Sequence, residues 1–285
     1  MSGLTVAMAQ IKISFNPESG KKYEFQTETI ENSKESTMGQ EKSKESETVI
    51  KYLMEIKEKT PLEIRVLFTY REIAHFFSHS RMKMGFDSKN PIENPSEMDK
   101  MLDKLLGKLL DKSFMAVIAP DGTVKSVEME AINESMAQSV ITEDPMSETM
   151  SIGLKQEFSE SAIKRMIEQS LNFYPVNAVR VQESWTMEDT HVSNLNLTTK
   201  AKYTLKENKR DLATITVEAI IEVTHHRMEG KLMGTQTGNI LVDTKTGIPI
   251  STDVSQNVTG AFKVRDFDVA TEINTHKKMS IKEVK

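Results

Sequence analysis

Apolar and polar residues alternate one by one through segment after segment of this chain. That period of two constrains the fold more than any other feature of the sequence, because it belongs to strands with one dry and one wet face. In residues 23–29, Tyr23 and Phe25 share a face and Glu24, Gln26 and Glu28 take the other. Ile50, Tyr52, Met54 and Ile56 then line up against Lys51, Glu55 and Lys57. Ile64, Val66, Phe68 and Tyr70 oppose Glu63, Arg65, Thr69 and Arg71. The second half repeats the habit. Ala201, Tyr203 and Leu205 alternate with Lys200, Lys202 and Lys206, and Ile215, Val217, Ala219, Ile221 and Val223 alternate with Thr214, Thr216, Glu218 and Glu222. Further strands are expected over 234–242, 248–258 and 264–281. Short turns at 208–211 and at Lys245-Thr246-Gly247 favour antiparallel pairing. Long strands of this kind are expected to twist or curl, since flat sheets leave exposed edges.

Residues 31–47 are dense in Ser, Lys and Glu. They read either as a mobile loop or as two solvated strand arms around Met38-Gly39. The strand reading is preferred, because long polar loops are uncommon inside compact domains. A weak duplication is also visible. Residues 112–124 and 238–250 both run as apolar strand, acidic turn with glycine, apolar strand, and the series leading to each opens with an aromatic, Tyr23 and Trp185. This implies two related β-rich halves.

Helices interrupt the strands. Pro95-Ser96 precedes a stripe of Met98, Met101, Leu102, Leu105, Leu106 and Leu109, which predicts a helix over 97–110 with one apolar face. A weaker helix is expected over 127–138, with Met129, Ile132 and Met136 inside. Ser159 is placed to cap a helix over 159–172, with Ala162, Ile163, Met166, Ile167 and Leu171 on its apolar side and Pro175 beyond its end. The expected organisation is a signal-like segment at 1–10, an N-terminal β-rich half at 11–140, a connector at 141–158 containing Glu143-Asp144-Pro145, and a C-terminal β-rich half at 159–285. The fold class is mainly β (α+β): two related halves of long, twisted antiparallel sheet with amphipathic helices packed on them.

The chain has 285 residues, 38% of them hydrophobic and 28% charged, which suits a folded protein with a real core. A net charge of −5 gives no argument for nucleic acid as a partner. The absence of cysteine excludes disulfides, thiolate metal sites and cysteine nucleophiles. No apolar run approaches the roughly 18 residues of a spanning helix, so no transmembrane segment is expected. Residues 4–9 look like the tail of a secretory signal, with Ala7 and Ala9 in the small-residue positions, so export is expected.

Candidate chemistry is sparse. His75 and His79 share a face as strand or helix, but no third ligand joins them, so they read as surface or rim histidines. His225 and His226 are adjacent and face opposite ways on a strand. His191 and His276 read as exposed strand residues. No nucleophile elbow, Ser-x-x-Lys motif in a fitting context or glycine-rich phosphate loop is present. Carboxylate pairs such as Glu128/Glu130 and Asp243/Asp253 are expected by chance among 42 acidic residues. Methionine is abundant, with 18 against 11 phenylalanines. Its first use is filling core gaps. Its second is lining a soft apolar cavity, for which Met82, Met84, Met98, Met101 and Leu105 are the candidates. Trp185 is expected to plug one end of a sheet.

Taken in order, Gly20-Lys21-Lys22-Tyr23, Thr37-Met38-Gly39-Gln40, Tyr70 through Met82-Lys83-Met84 to Phe86-Asp87-Ser88, and Leu110-Asp111-Lys112-Ser113-Phe114 form an ordered set of motifs. Pro120-Asp121-Gly122-Thr123-Val124, Val181-Gln182-Glu183-Ser184-Trp185, Gly234-Thr235-Gln236-Thr237-Gly238 and residues 243–247 continue it. The set resembles a family of exported bacterial proteins carrying only a domain-of-unknown-function label, number six-two-six-three. The chain departs from that pattern at 75–81, where a histidine-bearing stretch replaces a methionine-rich run. The resemblance implies a β-rich protein of the periplasm or cell envelope, with no activity or catalytic residues to carry over.

The functional expectation is a non-enzymatic exported envelope protein that binds an apolar or lipid-like ligand, with no cofactor and no metal. Such a protein needs a cavity between the 97–110 helix and the sheet, and a solid core there counts against it. One alternative is a structural or protein-interaction module of the envelope, with an envelope protein as partner. The other is a hydrolase with an unrecognised carboxylate site.

Overall fold

The computed structural model describes residues 10–80, 82–137, 156, 158–191, 195–225, 227–264 and 266–284. The signal-like segment before Gln10 and nearly all of the 141–158 connector lie outside the described residues.

Twelve strands form one antiparallel sheet. They are β1 (Lys22–Thr37), β2 (Gln40–Lys59), β3 (Ile64–His79), β4 (Met82–Asp87), β5 (Ser113–Ile118), β6 (Val124–Glu128), β7 (Ser184–His191), β8 (Leu195–Lys209), β9 (Leu212–His225), β10 (Met228–Asp243), β11 (Pro249–Val264) and β12 (Phe267–Glu283). The spatial order is β6-β5-β3-β2-β1-β12-β11-β10-β9-β8-β7, with β4 beside the far end of β3. Apart from the β3–β5 pair, which lets β4 share the same edge of β3, neighbours are neighbours in sequence until β1 meets β12. That pair runs from Tyr23↔Glu283 to Ser36↔Ala270 and joins the first and second halves at the middle of one sheet. The sheet is not closed into a barrel.

The expected polar arms are strands. Residues 31–37 and 40–47 pair in register around the Met38-Gly39 turn, where both residues take positive φ. The turn between β8 and β9 is tighter than the expected 208–211. Arg210 and Asp211 carry it with φ of 50° and 68°, the primed geometry that matches strand twist. Register shifts at Lys51/Tyr52, Ile56/Glu58, Leu205/Glu207 and Leu241/Val242 add curl near the base of the sheet. On β10, Gly234 and Gly238 give β11 room. A Cβ on either would meet the carbonyls of Asn257 and Asp253 and the side chains of Val258 and Val254.

Among the described residues, three α-helices lie on the sheet: α1 (Glu97–Leu106), α2 (Glu130–Ala137) and α3 (Glu160–Leu171). Ser96 and Asp99 close a capping box at the start of α1. The expected 97–110 helix tightens into a 3₁₀ turn at Gly107–Leu109. The expected 127–138 helix starts later, because Val127 and Glu128 finish β6 and pair with β5. Met129 and Ile132 are buried as anticipated. Ser159 caps α3 through its hydroxyl, which accepts the Ala162 N–H at 3.3 Å.

The core fills one end of the sheet, its floor. Phe25, Tyr52, Phe68, Tyr70 and Phe114 form an aromatic cluster, with Phe68 and Phe114 stacked at 5.1 Å. Leu102, Leu105, Leu106 and Leu109 of the α1 region are all buried there. Beneath the floor passes a strap, residues 11–16. Ile11 bridges to Val179, Phe15 N–H bonds to Pro120 O at 2.8 Å, and Asn16 N–H bonds to Thr246 O at 2.7 Å. Ile13 and Phe15 point from it into the core.

Candidate functional site

The other end of the sheet stays open. The strands run past the floor and form the wall of a cup, and α3 lies across its interior as a beam. The beam is tied mostly at its C-terminal end. Trp185 Nε1–H donates to Phe173 O at 2.9 Å, Tyr174 O–H donates to Gly247 O at 2.6 Å, and Glu168 accepts the Val124 N–H at 3.2 Å. Gly122, with φ of 89°, sits so close to Leu171 O that a Cβ there would collide with it. Trp185 also stacks on Tyr203, so it does anchor one end of a sheet, as its sequence position suggested.

Space remains on both sides of α3. One lobe, of about 280 Å³, faces the C-terminal strands and is lined by residues such as Met187, Leu197, Ala201, Tyr203, Val254 and Met279. The other, of about 540 Å³, faces the N-terminal strands and is lined by residues such as Tyr70, His75, Phe77, Met84, Leu102 and Phe158. The lobes share Thr29, Thr48, Ile50, Tyr52, Arg165, Met166 and Lys277. The open volume therefore lies mainly beside α3 and reaches α1 at Leu102, whereas Leu105, Leu106 and Leu109 fill the space under the rest of that helix.

The five apolar candidates separate accordingly. Met84 lines the larger lobe. Met82 is half-buried at the far end of β4, Met98 is half-buried on the first turn of α1, Met101 packs against the core, and Leu105 is within it. Sequence reasoning passed over the central lining. Thr27, Thr29, Thr48 and Thr199 carry no motif, and Arg165 looks like any solvated helix residue until the sheet is drawn around it.

Two histidines expected at the surface line the cup. His75 Nδ1 lies 2.9 Å from Thr48 Oγ1, and burial together with nearby Lys44 lowers its pKa. His191 faces the smaller lobe, its pKa lowered by burial and by Arg165, with Asp189 opposing. His276 lies on the opposite face and bonds Asp253 at 2.7 Å. His79 ends β3, and His225 accepts the Arg227 N–H at the β9–β10 turn; His226 lies outside the described residues. No group of three metal-ligating side chains occurs among the described residues. Three of the four carboxylates flagged in the sequence have structural partners: Glu128 pairs with Arg65, Asp243 accepts the N–H groups of Lys245 and Thr246, and Asp253 bonds His276.

Lys277 occupies the middle of the interior, on central strand β12 between Thr29 of β1 and Val254 of β11. Its ammonium donates to Gln169 Oε1 on α3 at 2.9 Å. Its side chain is half-buried and lines both lobes. Desolvation holds its pKa below the ordinary value; Glu31 opposes the shift and Arg165 adds to it. The Tyr203 hydroxyl, buried in the same wall, is pushed up to about 12 by desolvation. The Tyr70 hydroxyl is buried at the base of the larger lobe, beside that of Tyr52.

A sequence profile described as "Family of unknown function (DUF6263)" matches residues 63–249. The chain belongs to this family. The match spans most of the quoted motifs and leaves the Gly20–Tyr23 and Thr37–Gln40 motifs outside it. No curated protein matches. Among solved structures, the chain is similar to one titled for lipid–protein interactions in lipovitellin, with a TM-score of 0.52 at 9% identity, covering 94% of this chain and 26% of that one. The chain thus spans about a quarter of lipovitellin's length, and the likeness is one of fold. An outer membrane channel from Pseudomonas putida F1 aligns over 99% of this chain and 100% of its own, at 7% identity and a TM-score of 0.24, too low to carry an argument. Among the described residues, no helix is long and apolar enough to cross a membrane.

Proposed function

We propose that this family member is a non-enzymatic binding protein whose cup holds an apolar, lipid-like ligand beside α3. One observation carries the reading: the sheet is roofed without being filled, and the larger lobe falls within the roughly 300–1,000 Å³ range of small-molecule sites. An unfilled interior lined by Met, Phe, Ile and Leu forgoes dispersion contacts that a ligand chain supplies. Lipovitellin, whose title concerns lipid–protein interactions, supports the reading through its similar sheet. The carboxylates flagged for a hydrolase, where engaged in turns and ion pairs, serve the fold. Export to the periplasm or envelope is part of the proposal, and fractionation of the native host tests it.

The direct test is titration with the neutral fluorescent probe N-phenyl-1-naphthylamine. Saturable binding is expected. Thr29→Trp, which places an indole between the two lobes, is expected to weaken it at least tenfold, about 1.4 kcal/mol. A probe that does not saturate, or that binds the variant equally well, defeats the proposal. The interaction-module reading has its own observation in Met38, Val264 and Phe267, exposed at the open rim. Cross-linking in envelope extracts that captures one discrete partner, lost on rim substitution, favours that reading.

A further inference from the structure

We infer that the ligand of the cup is an amphiphile with an anionic headgroup, and that Arg165 and Lys277 receive that headgroup while the chain lies in the lobes. The inference rests on the proposed function and adds the charge of the ligand.

Both cations line both lobes. Arg165 stands one helical turn from Gln169 on α3, and Gln169 accepts from Lys277 on the facing strand, so the two charges lie near each other across the interior. Among the described residues neither forms an ion pair. A surface lysine needs no counterion, because water solvates it. One held inside a half-dry cavity beside a second cation does need one.

The surrounding acids do not meet that need. Glu31 is shared with Lys44 at 3.9 Å. Glu168 is engaged by Lys164 at 3.9 Å and by the Val124 N–H. Asp189 is exposed on the edge strand and lies by His191. The remaining charged and titratable neighbours, His75, Lys278 and the tyrosines Tyr52, Tyr70 and Tyr203, whose pKa values burial raises, bring no negative charge. A carboxylate or phosphate placed between Arg165 and Lys277 would relieve their repulsion and accept hydrogen bonds from both. From that point the apolar surface runs two ways, toward Met187 and Leu197 and toward Phe77 and Met84. A charged head at the junction and an acyl chain in a lobe match this distribution.

The test displaces N-phenyl-1-naphthylamine from the full chain with laurate, with lauroyl lysophosphatidylglycerol and with dodecanol, the neutral chain-matched control. At least one anion is expected to displace the probe at about one-tenth of the dodecanol concentration. Preference for laurate assigns a free fatty acid, preference for the lysophospholipid assigns a phosphate headgroup, and preference for both assigns charge alone. In Arg165→Gln/Lys277→Gln the anion preference, read as the ratio of dodecanol to anion concentration needed for displacement, is expected to collapse to within about twofold whatever the variant's probe affinity. Lys277→Arg, which keeps the charge, is expected to keep the preference, which separates loss of charge from loss of fold. Equal displacement by all three compounds overturns the inference and leaves the cup a ligand site, as does a preference that survives the double substitution. A probe that fails to bind the unsubstituted chain overturns both.

Discussion

The two ends of the same strands differ more than any two strands do. At its floor end β2 carries Tyr52, Met54 and Ile56, all buried against the aromatic cluster. At its rim end, 40–47, nothing is buried. β10 differs: Val242 and Ile240 lie in the core and Gly230 and Lys231 are exposed, yet Leu232 near the rim is buried in a second, smaller cluster with Ile221, Val258 and Phe262. Most of the buried apolar side chains are therefore in the floor, while the wall is held by backbone ladders and by this smaller cluster, and its cavity-facing side chains are free to be chosen for a ligand. Burial of an aromatic contributes several kcal/mol, whereas a wall residue facing a cavity has little burial to lose.

The sharpest break of this comparison is Phe114→Ala. Phe114 touches Phe68, Tyr52 and Tyr70 and is 1% exposed. Its loss is expected to cost about 3–5 kcal/mol, a fall in Tm of roughly 10 °C. Met187→Ala on the wall is expected to cost under about 1 kcal/mol. Thermal melts of the pair decide the matter. Equal losses would mean that the wall carries as much stability as the floor.

Next in size is Gly247→Ala. The glycine holds φ of 68°, and an added Cβ would run into Ser14 O of the strap. Strain and displacement of Phe15 together are expected to cost about 2–3 kcal/mol, with amide exchange rising first at Ile11, Phe15 and Asn16. Uniform exchange across the sheet would instead make the strap no separate element.

Trp185→Phe probes the link between the two ends. The ring can still lie against Tyr203, but the bond to Phe173 O is lost and that carbonyl is left half-buried. About 1 kcal/mol of stability is expected to go. The sharper readout is proteolysis, since a loosened beam exposes α3 before the floor unfolds.

Much of this gradient was legible in the sequence, and its gaps have physical causes. Period two marked β1, β2, β3, β8 and β9, since each buries one face somewhere along its length. The polar arms at 31–47 were read as strands on loop length alone, because at the rim neither face is dry and alternation vanishes. α1 and α3 showed stripes and caps, and both formed where expected. The cup was expected between α1 and the sheet; it reaches that helix at Leu102 and lies mainly beside α3. Both helices are amphipathic, and a stripe says that a face is covered without saying whether the cover is tight. Leucines at 105, 106 and 109 pack into the core and Leu102 borders the larger lobe, while α3 turns Arg165, Met166 and Gln169 to the sheet and leaves gaps. Likewise Lys277 alternates like any outward lysine. Its inward direction follows only from the register Thr29↔Lys277 and from Met279 and Ile281 on the same face. The strap at 11–16 was passed over because so short an alternation has no partner nearby in sequence.

The smallest effect has the opposite sign, and it is the one that ties wall to function. Lys277→Met replaces a desolvated charge by an apolar chain of similar length. Because burial lowers the lysine's pKa, the folded protein holds that proton less tightly than the unfolded chain does. At pH values below the folded pKa the side chain is charged in both states, and the full cost falls on the fold. As pH rises from the folded pKa toward the ordinary 10.5, the unfolded chain keeps the proton that the folded protein gives up, so stability increases across that window and the cost is gone above it. Lys277→Met is therefore expected to raise Tm at neutral pH by roughly 2–4 °C, for about 1 kcal/mol, and the advantage shrinks as the pH approaches 10.5. Saturating laurate is expected to raise the Tm of the unsubstituted chain more than that of the variant, in which Arg165 alone faces the carboxylate. A floor residue substituted in the same way lowers Tm at every pH. If Lys277→Met also lowers it, this lysine stabilises the fold, and the wall does not differ from the floor in the way described.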